Sequence, residues 1–270
     1  MSKISWTSRT WNYVTGCNKV SPGCKNCYAE SMAKWLRAMN NPSYKNGFDL
    51  TIQKRLLLDP FKWKPSLVFV NSMSDAFHEE IPLDVTKRAF RTMNYCGHCD
   101  FQILTKRTKH LLKVCNELKW SKNIWMGTSI ENSDYLWRID DLRQVEAKIR
   151  FLSIEPLLGE IQDLDLSGIQ WVIVGGESGR KARPVNKEWV ERIQAICQEQ
   201  EVPFYFKQWG KAIHNPNGSA DPTTKKDHPY YEKGGRMLNG MVYNQYPKGK
   251  SHLVDWNGNV IINKEEVVYE

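Results

Sequence analysis

Apolar positions in this chain gather into short, nearly unbroken runs. They are Leu67-Val68-Phe69-Val70, Phe101-Gln102-Ile103-Leu104, Ile124-Trp125-Met126-Gly127, Arg150-Phe151-Leu152-Ser153-Ile154, Trp171-Val172-Ile173-Val174 and Pro203-Phe204-Tyr205-Phe206. Continuous hydrophobicity rich in β-branched and aromatic residues is the pattern of parallel strands buried on both faces. Leu50-Thr51-Ile52-Gln53 is a weaker candidate, and a first strand is expected within Thr10 to Thr15. Segments of helical character lie between the runs. They are Tyr28 to Met39, Leu83 to Met93 after Pro82, Lys109 to Leu118, Asp134 to Val145, and Lys187 to Glu199.

Strand–helix alternation argues for βαβ units and a parallel sheet. Eight candidate strands in about 200 residues fit a closed (β/α)8 TIM-type barrel, and a doubly wound open sheet is the alternative. Residues 1–210 are expected to form the barrel with its N-terminal cysteine loop. Residues 211–270, rich in Gly, Asn, Pro and Lys without a strong period, read as an irregular C-terminal extension or lid. Within it, Val254 to Val260 reads as a small hairpin turning at Asn257-Gly258.

The strand ends are consistently polar. Ser72-Met73-Ser74-Asp75, Thr105-Lys106-Arg107, Ser129-Ile130-Glu131-Asn132, Glu155-Pro156, Gly175-Gly176-Glu177-Ser178-Gly179 and Lys207-Gln208-Trp209-Gly210 follow consecutive strands. Each alone reads equally as a turn or helix cap. Parallel α/β folds build their sites at the C-terminal ends of strands, so together they predict a pocket at one mouth. Asp75, Lys106, Arg107, Lys207 and Gln208 are its candidate substrate-binding residues.

Hydrophobic residues make up 41% of the 270 positions and charged residues 25%, so a core can form and disorder is not indicated. The formal net charge of +8 points toward a polyanionic partner, DNA or a nucleotide. The eleven tryptophans suit base stacking beside basic residues but equally suit a core. The N-terminus has no signal-peptide pattern and no run is long enough to span a membrane, so a cytoplasmic protein is expected, in a bacterium or a phage-infected host. Seven cysteines, an odd count, fit a reducing compartment.

Three of these cysteines cluster. Cys17, Cys24 and Cys27 have C-x6-C-x2-C spacing, on a stretch that Gly16, Pro22 and Gly23 make a loop. No fourth cysteine or histidine lies within it. Three ligands with a vacancy suit reactive chemistry, and a cubane iron–sulfur cluster on three thiolates leaves one iron open to a small chelating ligand. Cys96-Gly97-His98-Cys99 superficially resembles a thioredoxin-type motif but precedes a strand rather than opening a helix. Cys115 and Cys197 lie on expected helices and read as core.

The chain resembles the phage-associated three-cysteine-motif family of unknown function. The matching stretches are Trp11-Asn12 with Gly16-Cys17, Ser21-Pro22-Gly23-Cys24 with Asn26-Cys27-Tyr28-Ala29, Val70 to Asp75, Leu104 to Arg107, Ser153 to Leu158, Gly175 to Gly179 and Phe206 to Gly210. That family is similar to radical S-adenosylmethionine (SAM) enzymes. The resemblance implies a [4Fe–4S] cluster on Cys17, Cys24 and Cys27 and SAM at its open iron. Reduction by an electron donor then yields a 5′-deoxyadenosyl radical that abstracts hydrogen from the substrate. The commonest spacing in such enzymes is C-x3-C-x2-C, and the first gap here is three residues longer. Gly175-Gly176-Glu177 resembles the glycine-glycine-glutamate stretch that holds the SAM amino group there, but follows the seventh expected strand instead of the second. Tyr28, Ser72, Ser74, Glu131, Glu155, Gly175, Gly176 and Glu177 are thereby candidates for SAM contacts.

The leading expectation is a radical SAM enzyme modifying or rearranging a nucleic-acid base or nucleotide, for example modified thymidine in phage DNA. The alternative is a zinc-stabilised nucleic-acid-binding protein without catalysis, completing its site with a distant histidine such as His78 or His98. A barrel nuclease using Asp75, Glu131, Glu155 and Glu177 around magnesium ranks last, because it leaves the cysteine loop unexplained.

Overall fold

The computed structural model describes residues 4–247, together with the backbone of 251–254 and 260–264. The fold is mixed α/β with mostly parallel strands, and the chain divides into two compact units. The first unit comprises Met1–Ser129 and Trp137–Arg150, the second Ile130–Leu136 and Phe151–Glu270.

In the first unit, β1 (Arg9–Trp11) is followed by β2 (Val14–Thr15), α1 (Tyr28–Ala38) and β3 (Thr51–Ile52). Next come β4 (Leu67–Val70), α2 (Leu83–Tyr95), β5 (Asp100–Thr105), α3 (Thr108–Val114), β6 (Ile124–Ser129) and α4 (Trp137–Arg143). Strands β1, β4, β5 and β6 pair in parallel in that order, with Thr10 opposite Phe69, Phe69 opposite Gln102 and Ile103 opposite Met126. Their continuous apolar runs are explained by burial on both faces: Val68, Phe101 and Ile124 are buried on one, and their neighbours Phe69, Gln102 and Trp125 on the other. Helix α2 packs Val85, Ala89, Phe90 and Met93 inward at helical spacing. Its C-terminus is tied down by the Asn123 side-chain amide, which donates to the carbonyls of Met93, Cys96 and Cys99 at 3.0, 3.4 and 2.9 Å.

The second unit takes up β7 (Ile149–Ile154) from Phe151, then β8 (Trp171–Gly175), α5 (Lys187–Glu199), β9 (Phe204–Gln208), β10 (Met237–Leu238) and β11 (Met241–Asn244). Strands β7, β8 and β9 are parallel, with Ser153 opposite Ile173 and Ile173 opposite Tyr205. Strand β11 then adds antiparallel to β9. Residues 211–247 thus contribute strands to this unit as well as irregular turns. Hairpin β10–β11 turns on Asn239-Gly240, both at positive φ (51° and 77°), the backbone a two-residue reversal requires. Sequence reading passed over this hairpin. The one it expected at the C-terminus corresponds to β12 (Ser251–Val254) paired antiparallel with β13 (Val260–Lys264). Its turn at Asn257-Gly258 lies outside the described residues.

Two expectations change. The first strand is split at Asn12 and Tyr13 into β1 and β2, and Thr51–Ile52 pairs antiparallel with β2 in a separate two-stranded sheet. The segment read as a helix from Asp134 to Val145 is a 3-10 turn followed by the short α4. Among the described residues no helix is long and apolar enough to cross a membrane.

Candidate functional site

In the first unit the cysteine loop leaves β2 through Gly16, whose φ of +86° is open to glycine at little cost. The Gly16 N–H donates to the Met73 carbonyl at 3.0 Å and the Cys17 N–H to that of Phe48 at 3.2 Å. A Cβ at Gly16 would lie 2.2 Å from the Asp49 carbonyl oxygen. Pro22–Cys24 forms a 3-10 turn, and Cys27 is the N-cap of α1. Ala29 and Ala33 of α1 pack with Tyr44 and Met73, and Cys27 lies against this cluster. All three thiols are free and half-buried.

Their surroundings differ. Burial and the Asp75 charge push the Cys17 thiol up to about 11, against the opposing effect of Arg107. For Cys24, burial acts upward but is outweighed by the Lys106 charge and by hydrogen bonds from the Val20 and Ser21 backbone and the Ser21 hydroxyl, leaving the thiol below its usual value. The Ser21 Oγ–Cys24 Sγ distance is 3.6 Å.

Arg107 is the hub of this site. Its side chain is only 5% exposed. Nη2 lies 3.8 Å from Cys17 Sγ and also donates to the Asn18 side-chain oxygen, while Nη1 pairs with Glu79. Asp75 lies 3.9 Å from Arg107 Nε and accepts from the Thr105 hydroxyl (2.7 Å), the Phe77 N–H (2.9 Å) and the Lys106 N–H (2.9 Å). Its carboxylate therefore organises two loops. The loop after β4 is fastened to its neighbours by Tyr28 Oη donating to the Ser72 carbonyl (2.5 Å), Ser72 Oγ to Asn12 Oδ1 (3.1 Å) and Ser74 Oγ to the Val14 carbonyl (2.9 Å). Thus Cys17, Cys24, Cys27, Tyr28, Ser72, Ser74, Asp75, Lys106 and Arg107 belong to one connected set of loops. Asn18 and Glu79 complete it. Sequence reading missed both, because an Asn in a loop and a Glu beyond a strand end carry no distinguishing pattern.

The second unit holds the remaining candidates, and most are already paired. Arg183 grips Glu177 with Nε at 2.9 Å, Nη2 at 2.5 Å and its own backbone N–H at 2.8 Å. Hydrogen bonding to Glu177 raises the Arg183 pKa despite partial burial, helped by the charges of Glu177 and Glu131. Lys207 Nζ is 2.6 Å from Glu155 Oε1, and Gln208 Nε2 is 2.5 Å from Ser178 Oγ. Glu131 is buried. Gly175 lies against Glu155 and the Lys207 stem. The close approach that Gly176 permits is to the chain itself, since a Cβ there would lie 2.3 Å from the Trp209 carbonyl oxygen. Arg183, six positions after Glu177, was not singled out from sequence.

Of the acids read as magnesium ligands, Asp75 lies beside Arg107, Glu155 is paired with Lys207 and Glu177 with Arg183. His98 Nε2 faces the Trp63 carbonyl at 3.1 Å, and His78 Nδ1 accepts from the Glu80 N–H at 3.2 Å. Among the described residues no three His, Cys, Asp or Glu side chains are gathered about a single metal ion. A cubane makes a different demand, because each thiolate binds its own iron at a separate corner. Three free thiols on one loop, with Lys106 and Arg107 to offset thiolate charge, fit that group by the chemistry of the donor set. Cys96 and Cys99 are buried at the end of α2, and burial raises both thiols. Cys115 and Cys197 are buried as well.

A family model described as a protein of unknown function (DUF5131) matches residues 1–247, and the chain belongs to that family. Comparison with curated proteins and with solved structures finds no match.

Proposed function

We propose that this DUF5131 member is a radical SAM enzyme that modifies or rearranges a nucleic-acid base or nucleotide on a barrel-type parallel α/β scaffold. The observation that carries the reading is the loop bearing Cys17, Cys24 and Cys27, with Arg107 at the first thiol and the Lys106 charge at the second. Cys17, Cys24 and Cys27 would hold a [4Fe–4S] cluster there, and that group would supply the one-electron chemistry for reductive cleavage of SAM.

The chain's own residues have definite tasks in this scheme. Cys17, Cys24 and Cys27 are the ligands. Lys106 and Arg107 offset the thiolate charge, and Asp75 and Glu79 hold the Arg107 guanidinium in place. Tyr28 ties the loop after β4 to the start of α1, and Ser72 and Ser74 tie it to Asn12 and Val14, just ahead of the ligand loop. The net charge of +8 supports a phosphate-bearing substrate. A base within a duplex must first leave the stack to reach such a site.

Anaerobic reconstitution tests the reading. About four irons per chain are expected from a single cubane. With dithionite and SAM, 5′-deoxyadenosine should form, and be lost in Cys17→Ala, Cys24→Ala and Cys27→Ala. A colourless protein holding zinc and leaving SAM intact refutes the proposal and favours a metal-stapled binding module.

A further inference from the structure

In the second unit the chain leaves β8 through Gly175-Gly176-Glu177, and the groups of this stretch are taken up by the chain itself. A Cβ at Gly176 meets the Trp209 carbonyl, and one at Gly210 would lie 2.5 Å from the Glu177 carbonyl oxygen. The Glu177 carboxylate is held by the Arg183 backbone N–H and guanidinium. Residues 178–182 are therefore a short loop closed at its base by the Glu177–Arg183 contact.

The tip of that loop is differently made. Gly179 has a φ of +108°, and nothing lies within 4 Å of its Cβ position. Arg180 and Lys181 are exposed. The N–H groups of Ser178, Gly179 and Arg180 have no hydrogen-bond partner among the described residues, whereas the Ala182 N–H donates to the Gly179 carbonyl at 3.2 Å. Gln208 Nε2 donates to Ser178 Oγ at 2.5 Å. An amide nitrogen cannot accept in return, so the Ser178 hydroxyl proton is left for another acceptor. No acidic residue lies between Ser178 and Arg183, and Glu177 is already paired.

Successive backbone N–H groups beside a serine hydroxyl and two cations form a donor set for a phosphate, whose oxygens accept several hydrogen bonds at once. The loop also joins a parallel strand to the helix that follows it, β8 to α5, and parallel α/β folds collect their ligands at such strand ends. A cationic or wholly apolar ligand finds nothing complementary here.

We propose that the loop from Ser178 to Lys181 is a phosphate-binding site that anchors the substrate. The inference deepens the functional reading above and rests on its phosphate-bearing substrate, independently of the iron–sulfur group. The Gly179 and Arg180 N–H groups and the Ser178 hydroxyl meet the phosphate oxygens, and Arg180 and Lys181 supply the charge. A contact of this kind fixes position and carries no base preference.

A single-stranded DNA oligonucleotide, thymidine monophosphate and inorganic phosphate serve as probes, titrated into metal-free full-length protein. Saturable binding is expected, weakening as salt rises. Arg180→Ala and Lys181→Ala should each lower the affinity about fivefold and reduce the slope of log K against log salt by about one. Arg180→Lys retains the slope. Lys113→Ala, which removes an exposed charge from α3, leaves affinity within about twofold of wild type. Circular dichroism identical to wild type shows that the substitutions leave the fold intact. Loop-dependent binding of all three probes assigns the site to a nucleotide's terminal phosphate, and of the oligonucleotide alone to a nucleic-acid backbone. Absence of binding by every probe, or binding indifferent to Arg180→Ala and Lys181→Ala, overturns the site. Failure of the radical SAM reading is seen separately, as no SAM cleavage by reconstituted wild type with dithionite, and loop-dependent binding would survive it.

Discussion

Cys17 and Cys24 share a loop yet are pushed in opposite directions, by burial and Asp75 in one case and by the Lys106 charge and local hydrogen bonds in the other. In metal-free protein near neutral pH, Cys24 should therefore react with iodoacetamide well before Cys17, since the thiolate is the nucleophile. Mass spectrometry of timed, quenched samples reads the order. Linkage gives a second consequence. The folded Cys17 thiol titrates at about 11 against an ordinary value of 9.0. Its contribution to stability is complete below about pH 9 and is lost as pH rises toward 11, because the unfolded chain ionises first. Melting curves of metal-free protein should show a smaller alkaline loss in Cys17→Ala than in wild type. Cys24 runs the other way. Its depressed folded value contributes stability above the ordinary thiol pKa, and that is lost as pH falls through the folded value.

The turns that carry these side chains depend on close backbone approach. Gly16 enters the cysteine loop at φ +86°, with the Asp49 carbonyl in the space a side chain would need. Gly16→Ala should cost roughly 1–3 kcal/mol in urea unfolding and lower iron uptake, because the obstructing atom is backbone and cannot turn aside. Gly176→Ala meets the Trp209 carbonyl in the same way and should cost a similar amount, again roughly 1–3 kcal/mol. Gly97→Ala is the control. Nothing lies within 4 Å of its Cβ position, and the change should stay within about 0.5 kcal/mol. Helix α1 follows a related rule. It approaches the core through alanines, and its bulky Met32 and Trp35 are left exposed.

Each unit has its own buried strands, and the cysteine loop lies outside them. In the first unit the interior is built on residues such as Val68, Phe101, Ile103 and Met126, and in the second on Phe151, Trp171, Ile173 and Phe206. The fold should therefore not depend on a metal. The triple variant Cys17→Ala/Cys24→Ala/Cys27→Ala should melt within a few degrees of the metal-free wild type, given that about 1 kcal/mol shifts a midpoint by only 2–4 °C in a chain of this size. It should nevertheless bind no iron. A chelator that unfolds the wild-type protein would point to a structural zinc staple instead.

The strands of both units are legible in the amino-acid order, since a parallel strand buried on two faces must be apolar at nearly every position. Leu67–Val70, Ile124–Ser129 and Trp171–Gly175 show this directly. Helices α2 and α5 are legible from their spacing, and the cysteine loop from Gly16, Pro22, Gly23 and three closely spaced thiols. Partners distant along the chain are not. Nothing local announces that Thr51–Ile52 pairs with β2, that Arg107 reaches Cys17 ninety residues away, or that Lys207 meets Glu155. Nor does helical spacing reveal which apolar stripe of α1 faces inward, because Met32 and Trp35 are as hydrophobic as core residues and only the packing of Ala29 and Ala33 turns them out. Local periodicity is written by burial of the backbone. The pairing of charges, and the choice of face, follow from contacts that form when separate segments meet.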